Sequence, residues 1–204
     1  MTQLKSWQKT ILEYLSPGNL VPESHEDWLQ NGYFQKSIKE LMSRDPSEVE
    51  GWAPLPGHEG IEFAVSERHH ASLRDIGTGK LIGGYVYVLP YLDQEYRGRG
   101  IMAALHKQAD DAGNRFTTQN YTISGFMSRA KTHALHVEDA VARGEDVPEI
   151  VLADYDIVDG KARLKEPMTR ERYAEGFIER RELAARLKER AREIEESDLA
   201  PSGP

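Results

Sequence analysis

The sequence predicts a mixed α+β domain in which helices come first and a mostly antiparallel sheet follows, flanked by further helices. The spacing of apolar residues changes along the chain. Near the start, Leu4, Trp7 and Ile11 recur every three or four residues, as in an amphipathic helix. From Ile61 onward, apolar and polar residues alternate as in a half-buried strand. The 204 residues are enough for one well-packed domain and too few for two complete ones.

Composition and charge exclude several classes of protein. The formal net charge is −8, which argues against a nucleic-acid or anionic-membrane binder, because both need a basic surface. No stretch approaches the roughly 18 apolar residues of a membrane span. With 0 cysteines there is no disulfide framework, thiol nucleophile or thiolate metal site. We therefore expect a metal-free protein of the cytoplasm.

The chain divides into three parts. Residues 1–168 are predicted to form one domain, with a helical part over 1–60 and the sheet over 61–165. Residues 169–197 read as one long charged helix, and the tail 198–204 is predicted to be disordered. The apolar seam of that helix is thin, which favours a solvated helix with one face on the domain. A short coiled coil that binds a second copy or a protein partner is the alternative.

The middle of the chain contains alternating strand and helix patterns. Lys80–Leu92 is the strongest strand prediction, because its residues are mostly β-branched or aromatic. Pro90 cannot donate to a ladder, so we expect an edge, a bulge or the end of pairing there. Asp159-Gly160 predicts a hairpin turn. The remaining predictions are strands at 61–65, 71–76, 120–126, 149–157 and 162–165, and helices at 101–109 and from Ser128 to Gly144.

A glycine-containing loop, Arg97-Gly98-Arg99-Gly100, joins the strongest strand to a helix. Such a loop exposes backbone N–H groups at the positive end of a helix dipole, where phosphate binds, and glycines let the phosphate approach closely. It is not a Walker loop, because no Gly-Lys-Ser/Thr follows, and it lacks the third glycine of a dinucleotide fingerprint. The alternative is a strand-to-helix turn that uses glycine for geometry alone.

The wider run from Asp93 to Ile101 resembles the acetyl-CoA motif of the GNAT superfamily of N-acetyltransferases. That motif is Arg/Gln-x-x-Gly-x-Gly/Ala, preceded by an acidic and aromatic lead-in and a long strand. Arg97, Gly100 and the lead-in Tyr96 fit it, whereas Met102 stands at the last position. The resemblance covers about 61–165 and implies a GNAT-like fold. It also implies transfer of acetyl from acetyl-CoA to a primary amine, by direct attack in a ternary complex.

The resemblance also implies roles for particular residues. The pantetheine arm would pair with the strand end at Tyr91 and Leu92, and a backbone N–H near Leu92 would polarise the thioester carbonyl as an oxyanion hole. The pyrophosphate would lie on the backbone of the motif helix and its loop. The residues expected to bind the cofactor are Tyr91, Leu92, Arg97, Gly98, Arg99, Gly100, Ile101, Met102 and Ala103.

The general acid and base are less defined. In many members of the family, a tyrosine in the helix after the next strand acts as the general acid, but 128–144 contains no tyrosine. His133 and His136 are the titratable alternatives there, and His136 is our candidate. Glu62 is the candidate base, with His69 and His70 as alternatives. Each histidine also reads as an ordinary polar residue, and the spacing gives no metal site.

Three functions remain open. The first is acetyl transfer to a cationic amine, either a small polyamine-like molecule or a lysine or N-terminal amine of a protein. The second is a binding or regulatory protein of the same fold, in which Met102 blocks CoA. The third is an enzyme with another acyl donor or a nucleobase acceptor, although nucleobase chemistry would require a basic groove that the composition does not indicate.

Overall fold

The computed structural model describes residues 5–15, 19–20, 27, 30–66, 70–86, 89–114, 120–166 and 169. Its main sheet is a five-stranded meander in the order β2-β3-β4-β5-β6, and every neighbouring pair is antiparallel. The five strands are β2 (Ala53–Pro54), β3 (Ile61–Ser66), β4 (His70–Asp75), β5 (Leu81–Val86) and β6 (Leu89–Leu92). The predicted α+β class and the strands at 61–65 and 71–76 are confirmed.

The prediction of one long strand over Lys80–Leu92 is wrong. The chain reverses within it, so β5 and β6 pair with each other, with Gly83 opposite Leu92 and Val86 opposite Leu89. Residues 87–88, which join them, lie outside the described residues. The strand propensity of this run is real, but both arms share it, and no Asn-Gly or Asp-Gly pair marks the reversal. Pro90 lies on the edge strand β6, as one of the predicted alternatives required.

Helix α3 (Ile101–Asp111) packs on one face of the sheet and forms the main core with it. The glycine at its amino end and its run of alanine and leucine allow the helix to lie close to the strands. In β4 the core residues Ala71 and Leu73 occupy alternate positions and so share a face. The fully buried members of this core are Leu55, Ile61, Ala71, Leu73, Ile82, Tyr85, Leu92, Ile101, Ala104, Leu105 and Ala109.

Helix α2 (Gly32–Met42) covers the opposite face. It contacts β5 and β6 and buries Ser37 and Leu41. Ala64 and Ser72, which are paired across β3 and β4, are also buried. Asn31 caps α2 by accepting a hydrogen bond from Tyr33 N at 2.9 Å, so this helix begins at Gly32.

The amino-terminal segment contains less α-helix than the sequence predicts. It contains a 3-10 turn at Ser6–Gln8 and helix α1 (Ile11–Leu15) instead of one helix from Leu4. A two-stranded parallel pair joins β1 (Asn19–Leu20) to β7 (Asn120–Tyr121). Because β7 pairs with β1, it does not extend the main sheet.

Helix α4 (Ile123–Ala142) begins inside the predicted strand 120–126 and five residues before Ser128, where the helix was predicted to start. Thr122 is its N-cap and accepts from Gly125 N at 3.3 Å, so the strand at 120–126 is reduced to β7 and Ser128 lies inside the helix. Likewise, Glu149–Leu152 is the short helix α5 rather than a strand. Pro148 at its start and Glu149 in its first turn favour that helix.

The strands β8 (Tyr155–Val158) and β9 (Lys161–Leu164) form the hairpin that Asp159-Gly160 predicts. Both turn residues have positive φ, 50° and 73°, as a two-residue hairpin turn requires.

The chain forms two compact units, Met1–Glu166 and Pro167–Pro204. Apart from Thr169, the predicted helix at 169–197 and the tail at 198–204 lie outside the described residues. In the described part of the chain, no helix combines the length and the apolar character needed to cross a membrane.

Candidate acetyl-CoA site

The loop that enters α3 presents a row of backbone N–H groups. Gly98 and Gly100 adopt left-handed conformations with φ of 77° and 83°, which only glycine adopts without strain. Ala104 N, which donates to Gly100 O at 3.1 Å, makes the first backward bond at the start of α3. The N–H groups of residues 98–103 find no acceptor among the residues that the structure describes. The amino end of α3 can therefore accept an anion.

Among the strands that the structure describes, β6 is an outer strand of the main sheet, and its register determines which groups point away from β5. Asp93 N donates to Ile82 O at 2.8 Å. Since bonded and unbonded pairs alternate in an antiparallel ladder, the pair Gly83–Leu92 is unbonded. The N–H and C=O of Leu92 consequently point away from β5, to the side where the structure describes no further strand. Leu92 thus supplies an outward donor at the strand end that leads into the glycine loop.

Pro90 occupies the next outward position on the same edge. It lies opposite Tyr85, another unbonded pair, where the ladder needs no donor. This register explains how β6 tolerates a proline. It also means that, between Pro90 and Leu92, the outward edge has a donor only at Leu92.

Arg97 ties the loop to this edge, because its Nε donates to Leu92 O at 2.8 Å. Arg99 is exposed, with its guanidinium carbon 5.4 Å from the centre of the Tyr96 ring. On the opposite side of β6 from the core, Tyr91 donates to Asp93 Oδ1 at 2.8 Å. Partial burial and the bond to Asp93 raise the pKa of Tyr91 to about 12, so its phenol stays protonated at neutral pH.

Met102 is partly buried and packs against the core formed by α3 and the sheet. Ile101 and Ala103, on either side of it, are 2% and 3% exposed. The Ile101 side chain belongs to that core and the Met102 side chain packs against it, so neither covers the glycine loop. The methionine at position 102, where the GNAT motif has glycine or alanine, is thus accommodated by packing its side chain against the core.

His58, which the sequence analysis did not single out, borders the same loop. Its Cε1 would be 3.9 Å from a Cβ at Gly100. A lone histidine between Pro56-Gly57 and Glu59-Gly60 carries no motif, and only the fold brings it to residue 100.

The candidate acid and base lie among other polar residues. Glu62 is paired with Arg74 across the β3–β4 ladder, with both the Nε and Nη2 atoms 2.7 Å from Oε2. His136 is 4% exposed and its Nε2 lies 3.3 Å from Asp110 Oδ2. His70 Nδ1 is 3.0 Å from Arg44 Nη2, and His69 lies outside the described residues. Within the described residues, these contacts of Glu62, His70 and His136 do not involve the glycine loop, so their catalytic roles stay predictions.

His136 belongs to a buried polar network between α1, α3 and α4, which we call the Asp110 network. Asp110 accepts from Tyr14 Oη at 2.5 Å and lies 3.3 Å from Arg129 Nη2 and His136 Nε2. Burial alone would raise the pKa of Asp110. The hydrogen bond from His136, the charge of Arg129 and the bond from Tyr14 outweigh burial and hold that pKa well below its usual range. Sequence spacing could not reveal the network, because its members lie on three separate helices.

His106 and His133 are also buried, each with its own partners. His106 Nδ1 lies 3.3 Å from Thr132 Oγ1, and its Nε2 is buried without a hydrogen-bond partner. His133 contacts Tyr155 and backbone carbonyls of the amino-terminal segment. Within the described ranges, no group of three or more His, Cys, Asp or Glu side chains is arranged to hold a metal ion.

Comparisons with known proteins add no assignment to this site. No family model matches the chain, and neither the curated protein sequences nor the solved structures that were compared with it give a match. The fold and the geometry of the loop and edge strand therefore carry the functional argument.

Proposed function

We propose that the protein is an acetyl-CoA-dependent N-acyltransferase that acts on a primary amine. The observation that carries the proposal is the junction of two features at Leu92–Ala103. One is the row of N–H groups without acceptors at residues 98–103, and the other is the outward N–H of Leu92 on the edge of the sheet. Together they match the two ends of acetyl-CoA, a pyrophosphate and a pantetheine arm that carries a thioester.

The loop would bind the pyrophosphate through its N–H groups and the helix dipole. Glycine at 98 and 100 lets the phosphate reach the backbone, and Arg97 and Arg99 add positive charge beside it. The pantetheine arm would lie along β6 as an added strand, a mode of binding that uses an open sheet edge. Because Arg97 already occupies Leu92 O, the available outward groups are Leu92 N–H and Pro90 C=O.

Catalysis would follow from position and polarisation. The Leu92 N–H would donate to the thioester oxygen and stabilise the charge that develops there. The amine nitrogen attacks the carbonyl carbon, the carbon–sulfur bond breaks, the nitrogen loses a proton to a base, and the CoA thiolate gains one from an acid. Glu62 and His136 remain the candidates for base and acid. The net charge of −8 favours a cationic amine as the acceptor.

The packing of Met102 supports this function over that of a binding protein with a blocked site. A blocked site would need the Met102 side chain to lie over the phosphate position. Instead the side chain packs against the core.

The proposal is tested by thermal unfolding with and without saturating acetyl-CoA. A ligand at about 100 times its dissociation constant stabilises the fold by about 2.7 kcal/mol, which raises the Tm by roughly 5–10 °C in a chain of this length. Gly98→Asp and Gly98→Asn form a matched pair, because Asn and Asp both tolerate positive φ and a Cβ at 98 meets nothing within 4 Å. We expect Asn to keep most of the shift and Asp to abolish it by repelling phosphate. A folded, CoA-free wild type that shows no shift contradicts the proposal.

A further inference from the structure

The loop before β3 carries His58 to the amino end of α3. The loop is held by three backbone bonds: His58 N to Leu55 O at 3.0 Å, Ile61 N to His58 O at 3.2 Å, and Leu55 N to Ile61 O at 2.9 Å. Leu55 is 2% exposed and anchors the loop in the core. The position of His58 is therefore set by the fold rather than by the glycine loop.

The imidazole lies against Gly100 with its polar atoms uncommitted. Its Cε1, which is bonded to both ring nitrogens, would be 3.9 Å from a Cβ at Gly100. The ring nitrogens have no hydrogen-bond partner within 30–66, 70–86 and 89–114, the described ranges around the loop. A half-buried imidazole thus lies beside Gly100, whose N–H group has no acceptor among the described residues.

We propose that His58 is a direct phosphate ligand of the acetyl-CoA site, supplied by a loop outside the glycine motif. The inference rests on the proposed function for the identity of the ligand. The ring donates an N–H to a pyrophosphate oxygen from the side opposite the helix dipole. Phosphate oxygens accept strongly, and a donor held in place by the fold loses little freedom on binding.

The chemistry of the free ring agrees with this role. Partial burial lowers the pKa of His58, so the ring is neutral at pH 7 and presents one N–H and one lone pair. A neutral ring does not repel Arg97 or Arg99, which approach the same phosphate. If His58 only filled space beside Gly100, an apolar side chain of similar size would serve equally well.

Two variants of His58 distinguish a hydrogen-bond donor from a side chain that only fills space. His58→Leu keeps the approximate volume and removes the donor, whereas His58→Gln keeps an N–H donor. Calorimetric titration of the full chain with acetyl-CoA should show an affinity about tenfold lower for His58→Leu, the loss expected for one hydrogen bond to a charged group. His58→Gln should lose distinctly less. Equal affinities for wild type and His58→Leu, with both folded, overturn the role of His58.

A second probe separates this inference from the proposed function. Proton NMR of the full chain resolves histidine Cε1–H signals, and the one missing in His58→Gln is assigned to His58. Titration with inorganic pyrophosphate should shift that signal. A shift in a protein that does not bind acetyl-CoA leaves His58 as a phosphate ligand and removes the acetyltransferase proposal. No shift and no acetyl-CoA binding overturn both, and acetyl-CoA binding without any effect at His58 overturns only the role of His58.

Discussion

His133 is held in one protonation state by its partners. Its Nε2 lies 3.0 Å from Lys9 O and 3.2 Å from Ser6 O. Carbonyl oxygens only accept, so Nε2 carries the hydrogen, and Nδ1 accepts from Tyr155 Oη at 2.5 Å. The ring is fully satisfied when neutral. A proton on Nδ1 would leave two donors facing each other, unless the Tyr155 hydroxyl turned away.

This environment predicts a loss of stability in mild acid. Burial lowers the pKa of His133 to about 4, whereas the unfolded chain binds the proton near 6.5. The unfolded state therefore holds more protons between those values, and stability falls as the pH falls from 6.5 toward 4. The fall attributable to His133 is about 3 kcal/mol.

The check is denaturant unfolding of wild type and His133→Gln at several values across that range. Glutamine can donate to the carbonyls and accept from Tyr155 but does not titrate. We expect a flatter profile for His133→Gln between pH 6.5 and 4. An identical slope in both proteins would show that other groups control the acid sensitivity.

At the scale of single elements, β4 and β5 approach each other closely at Gly84. A Cβ at this position would lie 2.0 Å from Ala71 O and 2.9 Å from Ser72 Cα, both backbone atoms. Backbone in a sheet cannot move aside as a flexible side chain can. The pairing of β4 with β5, and through it the position of β6, therefore depends on a missing side chain.

Gly84→Ala should accordingly destabilise the protein far more than an alanine at another glycine with positive φ. Gly57→Ala is the matched control, because φ there is 78° and a Cβ would meet nothing within 4 Å. We expect about 1–2 kcal/mol for Gly57→Ala from backbone strain alone. For Gly84→Ala we expect about 3 kcal/mol or more, since overpacking adds to strain. Chemical denaturation measures both values, and similar losses would disprove the close approach.

At the scale of the whole described domain, the Asp110 network joins helices that are distant in sequence. Tyr14 on α1 bonds Asp110 on α3, and Arg129 and His136 on α4 contact the same carboxylate. The Asp110 and Arg129 side chains are 2% and 4% exposed. A buried charge left without its partner is costly, so this one carboxylate links the stability of three helices.

Asp110→Asn should therefore cost about 3–5 kcal/mol, because it removes the carboxylate charge that pairs with the buried Arg129 guanidinium. Asp139→Asn is the control. Asp139 pairs with Lys107 and Arg143, but its side chain is 47% exposed, so about 1 kcal/mol or less is expected. Thermal or denaturant unfolding of both variants provides the comparison. The double variant Asp110→Asn/Arg129→Met should recover part of the loss, and a further additive loss would contradict the pairing.

Sequence reasoning predicted the parts of this fold that local chemistry controls. Alternation predicted β3 and β4, Asp159-Gly160 predicted the last hairpin, and the glycine loop predicted the start of α3. It failed where tertiary contacts decide. The reversal between β5 and β6 has no turn residues in its described flanks. The stretch after β7 is a helix that Thr122 caps.

In the candidate site, too, the sequence predicts the features that depend on local chemistry and misses those that depend on tertiary contacts. The motif loop was visible because glycine and arginine at fixed spacing carry its chemistry within a few residues. The outward direction of the Leu92 N–H required the register of β5 and β6, and the approach of His58 to Gly100 required the packing of two loops. The buried partners of His136 come from α3 and could not be read from α4 alone.

The edge of β6, beside which the structure describes no further strand, also has a consequence for self-association. An exposed strand edge normally recruits strands of other chains and so promotes aggregation. Here Pro90 contributes no donor and Arg97 occupies the carbonyl of Leu92, which leaves one outward N–H and one outward C=O. A strand from another molecule would find too few partners to extend the sheet, so an edge open to a small, flexible ligand resists fibril-like growth.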